Sequence, residues 1–121
     1  MADDKKSATT SIVKVGGAVY FKVTGRVQKD EMVDLEQAKS ELEQTREERK
    51  FIFDFSAMED AIVPAVRILI QMQVEARKKG SVYVLTPNTE MLGKLKDAGA
   101  VRESELIKSR DQLIRALKGV T

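Results

Sequence analysis

Residues 51–80, FIFDFSAMEDAIVPAVRILIQMQVEARKKG, decide the fold. The apolar run Phe51–Phe55, interrupted only by Asp54, predicts a central strand that is buried on both faces. After a loop, Pro64 suits the first turn of a helix, because the N–H that proline lacks has no helical partner there. This helix is predicted to end at Gly80, after two lysines that suit a helix C-terminus. The segment therefore predicts a strand, a loop and a helix in that order.

The segments on either side continue the alternation of strands and helices. Gly16-Gly17 predicts a hairpin turn between two β-rich runs, and Gly25 is predicted to end the second of them. The predicted strands are residues 11–15, 18–24, 51–55, 81–85 and 101–107, and the predicted helices are residues 33–45, 64–79, 90–98 and 110–118. Strands that alternate with helices indicate parallel crossovers within a mixed sheet.

These elements predict one α/β domain at residues 11–121, preceded by a flexible tail at residues 1–10. We expect a mixed sheet of four to five strands with helices packed mainly on one face. In the helix at 33–45, Leu35, Ala38 and Leu42 recur at helical spacing and are expected to face the core.

The composition excludes several kinds of site. The chain has no His and no Cys, so imidazole or thiolate catalysis and His or Cys zinc sites are not available. A net charge of +2 and 5% aromatic residues do not favour nucleic-acid binding. The chain also lacks a Gly-rich phosphate loop, an apolar signal segment and a membrane-length apolar run. We expect a cytoplasmic protein without enzymatic activity, metal or other cofactor.

The predicted helix after the central strand carries two apolar sectors when it is projected at about 100° per residue. One sector is the expected core stripe, which consists of Ala65, Ile68, Leu69, Met72 and Ala76. The opposite polar face consists of Arg67, Gln71, Glu75 and Lys78. A third sector consists of Val66, Ile70 and Val74, and Val63 extends it into the preceding loop. This third sector either packs against a neighbouring helix or forms an exposed apolar strip that binds a protein.

We predict a partner-binding surface that combines the third sector with the preceding loop. Its residues are Asp60, Ala61, Ile62, Val63, Pro64, Val66, Ile70 and Val74. An alternative is a small-ligand or nucleotide site, or an enzyme, that uses Asp54, Glu59 and Asp60. The simpler interpretation of Glu59 and Asp60 is charge before a helix N-terminus. For Asp54 it is a polar residue at the strand end that bonds a neighbouring loop.

Four short segments occur in an order that a known family shares. They are Val19–Val27, Phe51–Phe55, Lys78–Leu85 and Leu95–Ala100. Together they resemble the STAS domain of anti-sigma factor antagonists, stressosome proteins and sulfate transporters. In that family the second strand ends in Leu-Thr-Gly-Glu-Leu and the central strand reads Ile-Val-Leu-Asp-Leu. The resemblance covers about residues 12–117. It implies a STAS-like fold and a bacterial signalling protein that takes part in the regulation of transcription.

The chain departs from the family at its phosphorylation motif. Antagonists of the family carry Asp-Ser-Ser/Thr-Gly-Leu at the start of the helix after the central strand, and a serine kinase phosphorylates the second hydroxyl residue. Aligned without gaps, that residue falls on Val63 or Pro64, and the window 61–66 contains no hydroxyl. The resemblance therefore implies a protein that binds its partner without the usual serine switch.

The resemblance also limits the class of partner. It implies an anti-sigma factor, a sensor kinase or another STAS-like protein, and it leaves open whether the chain forms a homo-oligomer. The alternative within this class is a structural subunit of a larger assembly, such as a stressosome-like particle or a lipid-transport complex.

Overall fold

A four-stranded mixed sheet forms the framework of the computed structural model, which describes residues 9–85, 93, 95–99 and 105–107. The strands are β1 (Thr9–Val15), β2 (Ala18–Val27), β3 (Lys50–Ala61) and β4 (Ser81–Leu85), and they lie side by side in that order. β1 pairs with β2 in an antiparallel manner, whereas β2 with β3 and β3 with β4 are parallel pairs. The predicted mixed α/β sheet is therefore confirmed, with four strands among the described residues.

Helices connect the parallel strands. A short 3-10 helix, Lys29–Glu31, leads into α1 (Met32–Glu43), and α2 (Val63–Lys79) connects β3 to β4. The backbone N–H of Gln28 donates to Glu31 Oε1 at 2.9 Å, as part of a capping box that fixes the entry into this helical segment.

Both long helices pack on the same face of the sheet, because alternate strand residues join one side of each helix in a single apolar cluster. The strands contribute Val19, Phe21, Val23, Phe51, Phe53, Phe55, Val82 and Val84. The helices contribute Leu35, Ala38 and Leu42 from α1 and the core stripe Ala65, Ile68, Leu69, Met72 and Ala76 from α2. The predicted core sides of both helices are thus confirmed.

β3 continues to Ala61, whereas the sequence predicted a loop after Phe55. One extra residue of β3 is inserted into the pairing with β2 just beyond Phe55. This bulge exposes both Ser56 and Ala57 and moves the buried side from odd-numbered to even-numbered positions. The bulge removes the period of two by which a strand is recognised, which is why the sequence indicated a loop.

β2 passes through Gly25 and ends at Val27, so the prediction that Gly25 breaks this strand is wrong. Gly25 has φ of 80° and adjoins a second shift in register. Glycine adopts this backbone conformation without strain, so β2 continues through Gly25, which lies opposite an extra residue of β3. The predicted turn at Gly16 and Gly17 is confirmed, with φ of 53° and 83°.

Other bounds differ from the prediction by one or two residues. β1 begins at Thr9, two residues before the predicted start, α1 ends at Glu43 rather than at 45, and α2 begins at Val63 rather than at Pro64.

The elements predicted after β4 are described only in part. Gly93 and Leu95–Asp97 are helical, within the helix predicted at 90–98. Leu106 forms a parallel bridge with Val84, within the strand predicted at 101–107. The helix predicted at 110–118 and residues 1–8 of the predicted tail lie outside the described residues.

Candidate functional site

The outer side of α2 carries the third apolar sector predicted from the sequence, which we call the α2 strip: Val63, Val66, Ile70 and Val74. Val63 is 65% exposed and Val74 is 43% exposed. Val66 and Ile70 are half-buried and pack against the edge of the core. The two interpretations of this sector are therefore combined, since the middle of the strip supports the core and its ends face solvent.

A groove of about 590 Å³ opens along the N-terminal half of the α2 strip. It is lined by Ala61 at the end of β3, by Val63, Val66, Arg67 and Ile70 of α2, and by Asp97 and Ala98. The two charged residues, Arg67 and Asp97, are exposed, and the other lining residues are apolar. An apolar depression with charged residues beside it has the composition of a protein-binding surface.

A second depression, of about 330 Å³, adjoins the first along the strip. Ile70 lines both of them, and Val74 lines the second together with Lys39 and Glu43 of α1. Lys39 and Glu43 form an ion pair with each other at 3.1 Å. The strip therefore continues from the start of α2 towards the junction with α1.

The start of α2 is accessible but lacks the chemistry of a phosphorylation site. Val63 and Pro64 are both exposed, yet neither carries a hydroxyl. The backbone N–H of Ile62, the residue before the helix, donates to Val27 O at 3.1 Å and so ties the helix start to the end of β2. A serine kinase therefore has no acceptor oxygen at either position.

The predicted docking loop is much shorter than the sequence indicated. Asp60 and Ala61 are the last two residues of β3, and Ile62 alone connects the strand to the helix. Asp60 Oδ1 accepts a hydrogen bond from the N–H of Ala61 at 2.8 Å. Ala61 lines the groove, so the end of the strand takes the place that was assigned to a loop.

The three acidic residues of the alternative ligand site do not converge. Asp54 is buried, whereas Glu59 and Asp60 are exposed near the end of β3. Glu59 lies five positions after Asp54 along β3, which is about 16 Å at about 3.3 Å per residue. Glu59 forms an exposed ion pair with Arg26 at 3.4 Å. Among the described residues, no cluster of acidic side chains could hold a metal ion.

Asp54 is a cross-strand anchor on the sheet face opposite α1 and α2. Its carboxylate accepts hydrogen bonds from the Tyr20 hydroxyl and from the hydroxyl and N–H of Ser56, the latter two at 2.5 and 2.9 Å. Burial raises the pKa of Asp54, but the hydrogen bonds from Ser56 and Tyr20 and the charge of Lys22 outweigh burial and lower it overall. The predicted partner was a loop, whereas the real partners lie on β2 and on β3 itself.

Sequence reasoning did not identify a polar cluster on the inner side of α2. Arg77 Nε and Nη2 donate to the carboxylate of Glu105 at 2.7 and 2.9 Å, and Arg77 Nη2 donates to Gln73 Oε1 at 3.1 Å. Gln73 is fully buried, and its Nε2 has no hydrogen-bond partner among the described residues. Gln73 lies four residues after Leu69, so its burial could have been inferred from the helix projection. Its link to Glu105 had no local signal.

Comparison by sequence and comparison by structure give different results. Neither a family model nor a curated protein sequence matches the chain.

In the part of the chain that the structure describes, no helix has the length and hydropathy needed to span a membrane.

Solved structures do match. Unphosphorylated SpoIIAA, an anti-sigma factor antagonist, has a TM-score of 0.72 and 12% identity, over 93% of this chain and 99% of its own. An anti-sigma factor antagonist from Mycobacterium paratuberculosis has a TM-score of 0.70 and 21% identity, over 93% and 95%. The murine anion transporter Slc26a9 has a TM-score of 0.67 and 8% identity, over 95% of this chain and 22% of the transporter. As the resemblance in the sequence implied, the chain has the SpoIIAA-like STAS fold.

Proposed function

We propose that the protein is a non-catalytic interaction module of the bacterial cytoplasm that docks onto a regulatory protein through the α2 strip. The observation that carries the proposal is the exposure of Val63 and Val74 beside an apolar groove. Because the other side of α2 already supplies the core, the fold does not need these two side chains. The fold, which anti-sigma factor antagonists share, supports an anti-sigma factor, a sensor kinase or another STAS-like protein as the partner.

Docking would proceed by burial of apolar side chains of the partner in the groove. Each Å² of apolar surface removed from water contributes about 25 cal/mol of favourable free energy. Burial of the strip therefore favours binding, and no bond has to be made or broken. Arg67 and Asp97 lie beside the apolar residues and would orient the partner through charge.

Regulation of this docking would differ from that of a phosphorylated antagonist. Phosphorylation adds about −1.5 to −2 charge, which at a helix start creates or disrupts contacts. Since Val63 and Pro64 cannot accept phosphate, the strip would remain ready to bind, and the amount of partner would control complex formation.

The absence of catalysis is part of the proposal. Asp54, the buried carboxylate, is held by Tyr20 and Ser56, and its separation from Glu59 and Asp60 argues against a shared substrate or metal. A thermal-shift screen with nucleotides and divalent metals tests this point. A rise in Tm that is lost in Asp54→Asn or in Glu59→Gln would favour the ligand-binding alternative.

The docking proposal is tested by affinity capture from the source cell with the parent chain, Val74→Glu and Gln71→Glu. Gln71 is the exposed neighbour on the polar side of α2 and serves as the matched control. An unpaired charge at an interface costs about 2–5 kcal/mol. We therefore expect Val74→Glu to weaken binding of the captured partner by about tenfold or more, and Gln71→Glu to bind normally.

Calorimetry with the purified partner gives the dissociation constants, and circular dichroism checks that each variant is folded. If folded Val74→Glu binds the captured partner as tightly as the parent does, the docking surface lies elsewhere.

A further inference from the structure

Two charged side chains of opposite sign, Arg67 and Asp97, line the groove beside the α2 strip. Arg67 and Asp97 are both exposed and both belong to the groove wall. Among the described residues, neither forms an ion pair or a hydrogen bond. Elsewhere on the surface, Arg26 forms an ion pair with Glu59, and Lys39 forms one with Glu43.

A surface that holds an unpaired cation and an unpaired anion on one apolar patch is complementary to itself. In a two-fold symmetric dimer, two different positions can contact each other across the axis. The first position of one copy then contacts the second position of the other copy, and symmetry generates the same contact a second time. Arg67 of each copy can therefore face Asp97 of the other, while the apolar residues between them meet across the axis.

We propose that a second copy of this chain occupies the groove, in a two-fold dimer that buries the two α2 strips and forms two Arg67–Asp97 ion pairs between the copies. A partner that presented a single sign of charge would satisfy one of these groups and oppose the other. A second copy supplies both charges at matching separation.

The patch is small for a protein–protein interface. A standard stable interface uses about 20–30 residues on each side, far more than the groove and strip provide. We therefore expect a weak, concentration-dependent dimer. The inference rests on the proposed function, because both use the α2 strip, and it adds a means of control. Self-association would hide the strip from the regulatory partner, so that partner and second copy compete.

The test is a charge exchange followed by analytical ultracentrifugation from low micromolar to millimolar concentration. Arg67→Asp places two acids opposite each other at both contacts, and Asp97→Arg places two bases there. Each variant alone should associate about tenfold or more weakly than the parent, because like charges meet. An equimolar mixture of the two should associate as the parent does, since each mixed dimer restores two opposite-charge pairs.

Rescue by mixing cannot result from misfolding, and circular dichroism of each variant provides a further check. Gln71→Glu is the control and should sediment like the parent. The inference is overturned if the parent stays monomeric at every concentration, or if the mixture associates no better than the separate variants.

These outcomes are distinct from those of the docking experiment. A monomeric parent whose captured partner is still lost in Val74→Glu would remove the dimer and leave the proposed function standing. If mixing rescues the dimer but capture of the partner does not depend on Val74, the dimer stands and the proposed docking function is removed.

Discussion

The core stripe of α2 and the α2 strip are two apolar sides of one helix, but the protein covers them unequally. Side chains of the core stripe are at most 7% exposed, whereas Val63 and Val74 at the ends of the strip are 65% and 43% exposed. The sheet lies beneath the first side, and α1 reaches only part of the second. Similar residues at similar spacing therefore have different roles, because burial depends on which layers the fold places against each side.

The largest expected effect tests this difference in burial directly. Leu69→Ala removes a fully buried side chain and should lower the free energy of unfolding by about 2–4 kcal/mol, through lost burial and the cavity left behind. Val74→Ala removes a partly exposed side chain and should change it by less than about 0.5 kcal/mol. Urea denaturation measures both. Equal losses would mean that the two sides of α2 are equally buried.

The next effect concerns the end of α2, where the backbone itself is closely packed. Gly80 has an extended φ of 177°, which any residue can adopt, but a Cβ there would lie 2.0 Å from the carbonyl oxygen of Arg49. Gly80→Ala should therefore lower the free energy of unfolding by about 1–3 kcal/mol through overpacking.

Gly93 provides the matched control for Gly80. It is helical, and among the described residues nothing lies within 4 Å of a Cβ placed on it. Gly93→Ala should be neutral or stabilising by up to about 1 kcal/mol, since alanine favours helix. Thermal denaturation distinguishes the two. If Gly80→Ala is as stable as the parent, a Cβ at this position does not clash with the backbone of Arg49.

A smaller effect should appear away from α2, at Asp54. Because the folded-state pKa lies below the ordinary value of 3.8, the ionised carboxylate stabilises the fold above that value. This stability is lost as the pH falls through the lowered pKa. Asp54→Asn should lower the free energy of unfolding by about 1–2 kcal/mol at neutral pH. It should also reduce the dependence of that free energy on pH at the acid end.

The same variant separates stability from docking. Since Asp54 lies on the opposite face of the sheet from α2, Asp54→Asn should bind the partner as the parent does. Urea titrations between pH 3 and 7 measure the profile. An unchanged slope below pH 4 would show that Asp54 does not carry this dependence.

The elements that could be predicted from the sequence are those with a local signal. The core stripe has helical spacing, Gly16-Gly17 fits a hairpin turn, and the hydroxyl-free window at 61–66 is a matter of composition. The bulge after Phe55 could not be predicted, because it depends on the register with β2 and removes the alternation of apolar residues.

Long-range contacts were equally beyond local patterns. Tyr20 lies 34 residues from Asp54, and Glu105 lies 28 residues from Arg77, so no spacing rule connects them. The partial exposure of the α2 strip also depends on tertiary packing. The helix projection identified the apolar residues, but it could not distinguish packing against a helix from exposure to solvent. Which of the two occurs at each residue depends on how far α1 reaches along the strip.

The smallest expected change in stability gives the most direct test of the docking claim. Val63 and Val33 lie in the first turns of α2 and α1 and are 65% and 69% exposed. An acid in a first turn interacts favourably with the helix dipole, by about 0.3–1 kcal/mol. Val63→Glu and Val33→Glu should therefore both unfold at the same denaturant concentration as the parent or at a higher one.

Calorimetric titration of the purified partner into these two variants is the decisive measurement. Only Val63 belongs to the α2 strip. We predict that Val63→Glu weakens binding by about tenfold or more, because a charge would be desolvated in an apolar groove, while Val33→Glu binds as the parent does. Docking through the α2 strip is contradicted if Val63→Glu keeps the affinity of the parent, or if Val33→Glu loses as much affinity as Val63→Glu.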